Sequence, residues 1–281
     1  MNTIAFPGLS LGPFKIAESL NLFGLNIHFY GIIIALGIVI AYIFCSKMGK
    51  TYDLDPENLL DAILIGLPCA IVGARLYYVI FQWEYYIKHP AEIIAIWEGG
   101  IAIYGGVIGG IIAVCCYCKA KKIKLTKMLD TCSFGMLIGQ MIGRWGNFVN
   151  AEAYGRETTL PWRMELCDLG ISVHPTFLYE SLWNLGVFLI LVFIYRKRQK
   201  FSGEMFFAYI TGYGLGRFWI EGLRTDSLYI GMFRASQLLA LLCVIAGISC
   251  IMYFRKKVKN LPKEITEATE KEAEETIETN E

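Results

Sequence analysis

The chain has 281 residues, of which 55% are hydrophobic and 18% charged, and its net charge is +1. A soluble domain is about a quarter charged. Here the charges are clumped between long apolar runs, which excludes one large soluble core and points to a membrane protein. No basic, aromatic-studded surface suggests nucleic acid as a partner.

Residues 1–24 lack a basic n-region and contain Pro7, Gly8 and Pro13, so they do not read as a cleavable signal peptide. A spanning helix takes about 20 mostly apolar residues. On that criterion the chain is predicted to be an all-α, polytopic protein with about seven transmembrane helices. They fall at 25–46, 59–81, 100–118, 132–149, 177–195, 204–222 and 234–254. Pro68 in the second and the glycines of the third are expected to bend them. Cations follow the odd-numbered spans: Lys47 and Lys50, then Lys119 to Lys127, then Arg196 to Lys200, then Arg255 to Lys259. The other gaps carry few, with Lys88 in one and Arg156 and Arg163 in another. By the excess of cations on cytoplasmic loops, the N-terminus faces out and the C-terminus is cytoplasmic. Residues 1–260 are expected to form a single transmembrane catalytic domain. Residues 261–281 are expected to be an acidic, disordered or loosely helical cytoplasmic tail.

Nine cysteines are present. Most lie in or beside apolar runs, and none of Cys115, Cys116 and Cys118 has a nearby His. Neither a disulfide framework nor a metal site is expected.

Ionisable residues inside spans are costly and are functional candidates. The orientation gives their depth. His28 and Tyr30 lie at the outer end of the first span, and Arg75 at that of the second. Tyr104 lies about one turn inside the third, and Arg144, Asn147 and Asn150 end the fourth. His174, Tyr179 and Glu180 begin the fifth, while Arg217, Glu221 and Arg224 end the sixth. The inner halves are nearly pure apolar sequence. A permeation path needs polar groups through its whole depth, so this pattern describes a pocket open to the outer leaflet. Arg144 and Asn147 share a helix face. Arg217, Glu221 and Arg224 are expected to form one stripe of alternating charge. A planar guanidinium fork suits phosphate oxygens, so the implied ligand is an anionic phospholipid in the bilayer. The alternative is that these groups pair with one another or snorkel. The repeated glycine pairs from Gly99 to Gly110 suit close helix packing. His28 and His174 read as interfacial hydrogen-bonding residues or as bases. The long external gap at 150–176 holds Glu152, Glu157, Trp162 and Glu165.

The run Gly143-Arg144-Trp145-Gly146-Asn147-Phe148-Val149-Asn150-Ala151-Glu152-Ala153-Tyr154-Gly155 resembles the signature of the prolipoprotein diacylglyceryl transferases. Agreement extends to His28–Gly31, Gly73–Tyr78, Gly99–Gly106, His174–Glu180 and Gly212–Arg224, which is nearly the whole chain except the tail. The resemblance implies an enzyme of the bacterial cytoplasmic membrane with its site toward the outer leaflet. It would transfer the diacylglyceryl group of phosphatidylglycerol to the lipobox cysteine of a prolipoprotein signal peptide, with no cofactor. On that basis Arg144, Glu152, Arg217 and Tyr104 are the catalytic candidates. Tyr30, Asn147, Gly155, Glu221 and Arg224 join Arg144 as lipid-binding candidates. His28, Arg75, Asn150, His174 and Glu180 are expected to support them. Some members of the family carry His where this chain has Tyr104, so a His base cannot be carried over. A phenol with pKa about 10 is a poor base.

The substrate thiol must react as thiolate, and a phosphate ester must depart. Arg144 and Arg217 suit both tasks. Glu152 either accepts the thiol proton or orients an arginine. Rival classes are a transporter for an anionic solute, which the one-sided charge disfavours, and another phospholipid-processing enzyme. A retinal protein would need a lysine in the last span, and 234–254 contain none.

Overall fold

The computed structural model describes residues 1–22 and 25–260. The acidic tail expected over 261–281 lies outside the described residues. Among the described residues, seven long helices carry the fold. These are α1 (Phe29–Gly49), α2 (Pro56–Phe81), α3 (Ile103–Ala120), α4 (Leu125–Val149), α5 (Thr176–Leu189), α6 (Glu204–Glu221) and α7 (Ala235–Lys259). All nine cysteines are free.

Five of these helices are long and apolar enough to cross a membrane: α1, α2, α3, α5 with its continuation to Arg198, and α7. Thus five of the seven expected spans meet that measure. The other two, α4 and α6, are interrupted by polar groups, among them Gln140, Arg144 and Asn147 on α4 and Arg217 and Glu221 on α6. Pro68 is accommodated inside α2. Helix α5 continues through a π-helical stretch, Ile190–Tyr195, and a 3-10 turn, Arg196–Arg198.

The described residues divide into two compact units, one of residues up to Ile34 together with those from Gln140 onward, the other Ala35–Gly139, so the division falls within α1 and α4. In the second unit, α2 and α3 approach backbone to backbone. A Cβ on Gly73 would meet the Gly105 carbonyl at 2.5 Å, and one on Gly109 would meet the Cys69 carbonyl at 2.5 Å. Only glycine permits that approach, which gives Gly73, Gly105 and Gly109 a packing role.

The first unit contains strands that the all-helical expectation did not include. β1 (Asn2–Phe6), β2 (Leu11–Ile16), β5 (Met164–Leu166) and β6 (Ile171–Val173) form an antiparallel sheet in the order β2-β1-β5-β6. Two small hairpins join β3 (Ser19–Leu22) to β4 (Leu25–His28) and β7 (Tyr229–Ile230) to β8 (Phe233–Arg234). Ile4, Met164, Leu166 and Val173 are buried with Phe177 of α5, and Phe148 of α4 packs on the same cluster. The Phe148 and Phe177 rings lie 4.6 Å apart. This apolar cap fixes the ends of α4 and α5 that carry Arg144 and Glu180. At the opposite end of α6, the fully buried Glu204 accepts from Arg255 Nε at 2.6 Å and Tyr195 Oη at 3.0 Å.

Candidate active site

The last turns of α4, the first turn of α5 and the last turn of α6 converge within the first unit. Arg144 Nη2 donates to Glu180 Oε1 at 2.6 Å, and Arg217 Nη1 donates to Glu180 Oε2 at 3.1 Å. One carboxylate therefore takes an N–H from each of two guanidinium groups. Arg217 Nη2 also lies 2.5 Å from Glu221 Oε2. The Arg144 and Arg217 side chains are 21% and 15% exposed, whereas those of Glu180 and Glu221 are 3% and 2% exposed. The acids are buried and the arginines keep an open edge.

A second set of contacts runs outward from Arg144. Its Nη1 donates to Asn147 Oδ1 at 3.1 Å. Asn147 Nδ2 donates to Glu152 Oε1 at 2.8 Å, and Asn150 Nδ2 reaches the same oxygen at 3.5 Å. Glu152 is exposed, in a turn flanked by Ala151 and Ala153 with φ of 50° and 56°. That turn is pinned on three sides. Thr176 Oγ1 donates to the Ala153 carbonyl at 2.6 Å, Gly155 N to the His174 carbonyl at 3.0 Å, and Arg156 N to the Leu223 carbonyl at 2.8 Å. A Cβ on Gly155 would lie 2.7 Å from His174 Cβ and 3.0 Å from Thr176 Cγ2. Tyr30 packs its ring against Gly146 of α4.

The expected stripe from Arg217 through Glu221 to Arg224 is broken after Glu221. Helix α6 ends there, and Arg224 instead makes a two-pronged pair with Asp226 at 3.0 and 2.8 Å. That hydrogen-bonded pairing holds the Asp226 carboxyl below the usual carboxylate range. Arg234 Nη1 donates to the carbonyls of Glu221 and Arg224, the latter at 3.0 Å, and closes the end of α6. Sequence reasoning passed over Arg234 and Asp226. The available signal was a further cation on the side where cations are scarce.

His174 Nδ1 lies 3.2 Å from Tyr179 Oη, which also accepts from Trp162 Nε1 at 2.8 Å. Burial, then the nearby Arg156, pushes the His174 pKa down. His28 is exposed in β4, opposite Ser19. Arg75 and Tyr104 lie in the other unit. Arg75 is buried, and its guanidinium donates to the carbonyls of Ile93 (2.8 Å), Gly99 (2.6 Å), Gly100 (2.8 Å) and Glu92 (2.5 Å). It stitches the 92–100 segment to α2. Tyr104 stands in the first turn of α3, its ring 6.5 Å from that of Tyr77. Among the described residues, no group of three or more His, Cys, Asp or Glu could hold a metal ion.

The family model described as prolipoprotein diacylglyceryl transferase matches residues 17–253. Over 238 residues the chain is 48% identical to a phosphatidylglycerol–prolipoprotein diacylglyceryl transferase of Finegoldia magna, covering 85% of this chain and 95% of that protein. A protein of the same name from Clostridioides difficile is 45% identical, over 85% of this chain and 96% of its own. Another from Limosilactobacillus reuteri is 41% identical, over 93% of this chain and 94% of its own.

Proposed function

Because the chain belongs to the prolipoprotein diacylglyceryl transferase family, we infer that it transfers the diacylglyceryl group of phosphatidylglycerol to a prolipoprotein. One observation carries the reading of the site: two arginine forks converge on the two oxygens of a single carboxylate, Glu180. A phosphodiester offers a like pair of anionic oxygens, and planar guanidinium groups bind such pairs by two parallel hydrogen bonds.

The acceptor is the thiol of a lipobox cysteine carried by a signal peptide. Its thiolate sulfur attacks the glyceryl carbon that bears the phosphate. A C–S bond forms, the C–O bond to phosphate breaks, and glycerol phosphate leaves with the electron pair. Arg144 and Arg217 stabilise the charge on the departing phosphate and favour thiolate over thiol. Asn147 orients a head-group oxygen, with Tyr30, Gly155, Glu221 and Arg224 bounding the lipid. Glu152 is exposed and held by Asn147, which suits it to take up the thiol proton. Tyr104 enters this scheme through the family resemblance alone. Residues 1–260 act as one catalytic domain with seven spans, α4 and α6 included. The cation distribution supports placing the reaction at the outer leaflet of the bacterial cytoplasmic membrane.

Purified protein, phosphatidylglycerol vesicles and a lipobox peptide test the reaction. Mass spectrometry is expected to find a diacylglyceryl increment on the cysteine, and none on a Cys→Ser peptide. Equal transfer from phosphatidylethanolamine alone would overturn the preference for an anionic lipid.

A further inference from the structure

Asn184 lies one turn beyond Glu180 on α5. The residue is 1% exposed, and among the described residues neither Nδ2 nor Oδ1 has a hydrogen-bond partner. Ser181 donates to the Met141 carbonyl of α4 at 2.9 Å, and Trp183 donates to the Gly212 carbonyl of α6 at 2.8 Å. Asn184 therefore lies on the face between α4 and α6, the face from which Glu180 reaches Arg144 and Arg217. Buried amides are nearly always paired, and an unpaired one needs a physical reason. The four-residue spacing on one helix brings the Glu180 carboxylate within reach of Asn184 by side-chain rotation.

Competition for donors supplies the reason. Arg144 and Arg217 face Glu180 and Glu221, so the buried array is neutral as it stands. A phosphodiester monoanion arriving there would compete with Glu180 for the N–H that it takes from each arginine. We propose that Glu180 holds, on Arg144 and Arg217, donors that the lipid phosphate takes, and that the arriving phosphate moves it onto the buried amide of Asn184, a positioning residue. This rests on the reading that Arg144 and Arg217 bind the phosphate. Asn184 Nδ2 gives the displaced carboxylate a donor, so the lipid competes with Glu180 on better terms.

The test is the affinity of the full chain, in detergent, for short-chain phosphatidylglycerol, measured by calorimetry beside transfer to the peptide. Asn184→Leu keeps the volume and removes the unpaired polar group, so a merely structural Asn184 predicts an unchanged or raised Tm and an unchanged Kd. The expected result is an unchanged or raised Tm with Kd weakened about tenfold or more, and Asn184→Ala should agree in Kd. In a Glu180→Gln background the displaced side chain is uncharged, and Asn184→Leu should change Kd less than about twofold. If Glu180→Gln does not fold, infrared difference spectra replace it. Adding lipid should shift a carboxylate band in the wild type and not in Asn184→Leu. Unchanged Kd in both Asn184 variants, an equal loss in both backgrounds, or a band shift that survives Asn184→Leu overturns the proposal. A wild-type protein that neither binds the lipid nor modifies the peptide overturns the phosphate-binding reading first, and this inference with it.

Discussion

Arg144 and Glu180 meet in a 2.6 Å ion pair in which the carboxylate is 3% exposed and the guanidinium 21% exposed. The second oxygen of the same carboxylate holds Arg217, so one buried acid spaces two arginines on two helices. Removing one member of a buried ion network leaves uncompensated charge. Glu180→Gln is expected to lower stability by about 3 kcal/mol, read as a fall in Tm in detergent. An unchanged Tm would show that the two guanidinium groups are adequately solvated without their shared acid.

Gly155 is the second sensitive point, for steric rather than electrostatic reasons. Its backbone is clamped to His174, and an added Cβ would lie 2.7 Å from His174 Cβ. Gly155→Ala is expected to cost about 1–3 kcal/mol, the usual range for overpacking. It should also displace the turn that carries Glu152 and lower turnover at least about tenfold, because small misplacements of reacting groups are expensive. Full activity with normal Tm would mean that the turn can shift without consequence for the reaction.

The helices were legible because apolar runs of spanning length leave few alternatives. The expected 59–81 is seen as Pro56–Phe81, and the expected 204–222 as Glu204–Glu221. The four-stranded sheet was not legible. Its central pairing sets Ile4 opposite Leu166, a contact that no local periodicity records. Arg144, Asn147 and Arg217 stood out as polar groups in apolar helices, and the structure brings them to one site. Glu180 was placed in support of them, yet it is the hub, because sequence spacing cannot show which of several acids lies between two arginines. Arg224 looked like a continuation of the Arg217 face only while the helix was assumed to continue past Glu221. Asn184 gave no signal, since an asparagine in an apolar run looks like any tolerated polar residue.

The direction of the His174 shift predicts a pH dependence of stability. Burial, followed by Arg156, holds the folded-state pKa below the ordinary value of 6.5. In that case the unfolded chain takes up a proton before the folded one does. Stability should fall as pH drops below about 6.5, until the folded pKa is reached. A His174→Gln variant should therefore lose less Tm between pH 7.5 and pH 5.5, both about a unit from 6.5, than the wild type. Parallel Tm curves for the two proteins would exclude this contribution.

Topology can be checked without any assay of activity. Glu157 is exposed in the long segment read as external, and Lys122 is exposed in a segment read as cytoplasmic. In a background carrying Cys167→Ser, Glu157→Cys should react with an impermeant thiol reagent in intact cells, and Lys122→Cys should react only after permeabilisation. The opposite labelling would invert the orientation and move the site to the cytoplasmic leaflet.

The central claim is that Arg144 and Arg217 hold the lipid phosphate by their forks, and steady-state turnover of their lysine variants tests it most directly. Lysine keeps the charge and loses the paired donors. Arg144→Lys and Arg217→Lys are each expected to lower turnover at least about tenfold, or about 1.4 kcal/mol of transition-state stabilisation. Arg163→Lys, in the loop, is the control and should stay near wild type, with Tm used to confirm folding of all three. Full turnover in correctly folded lysine variants at both positions would contradict the claim and leave the two arginines as structural partners of Glu180.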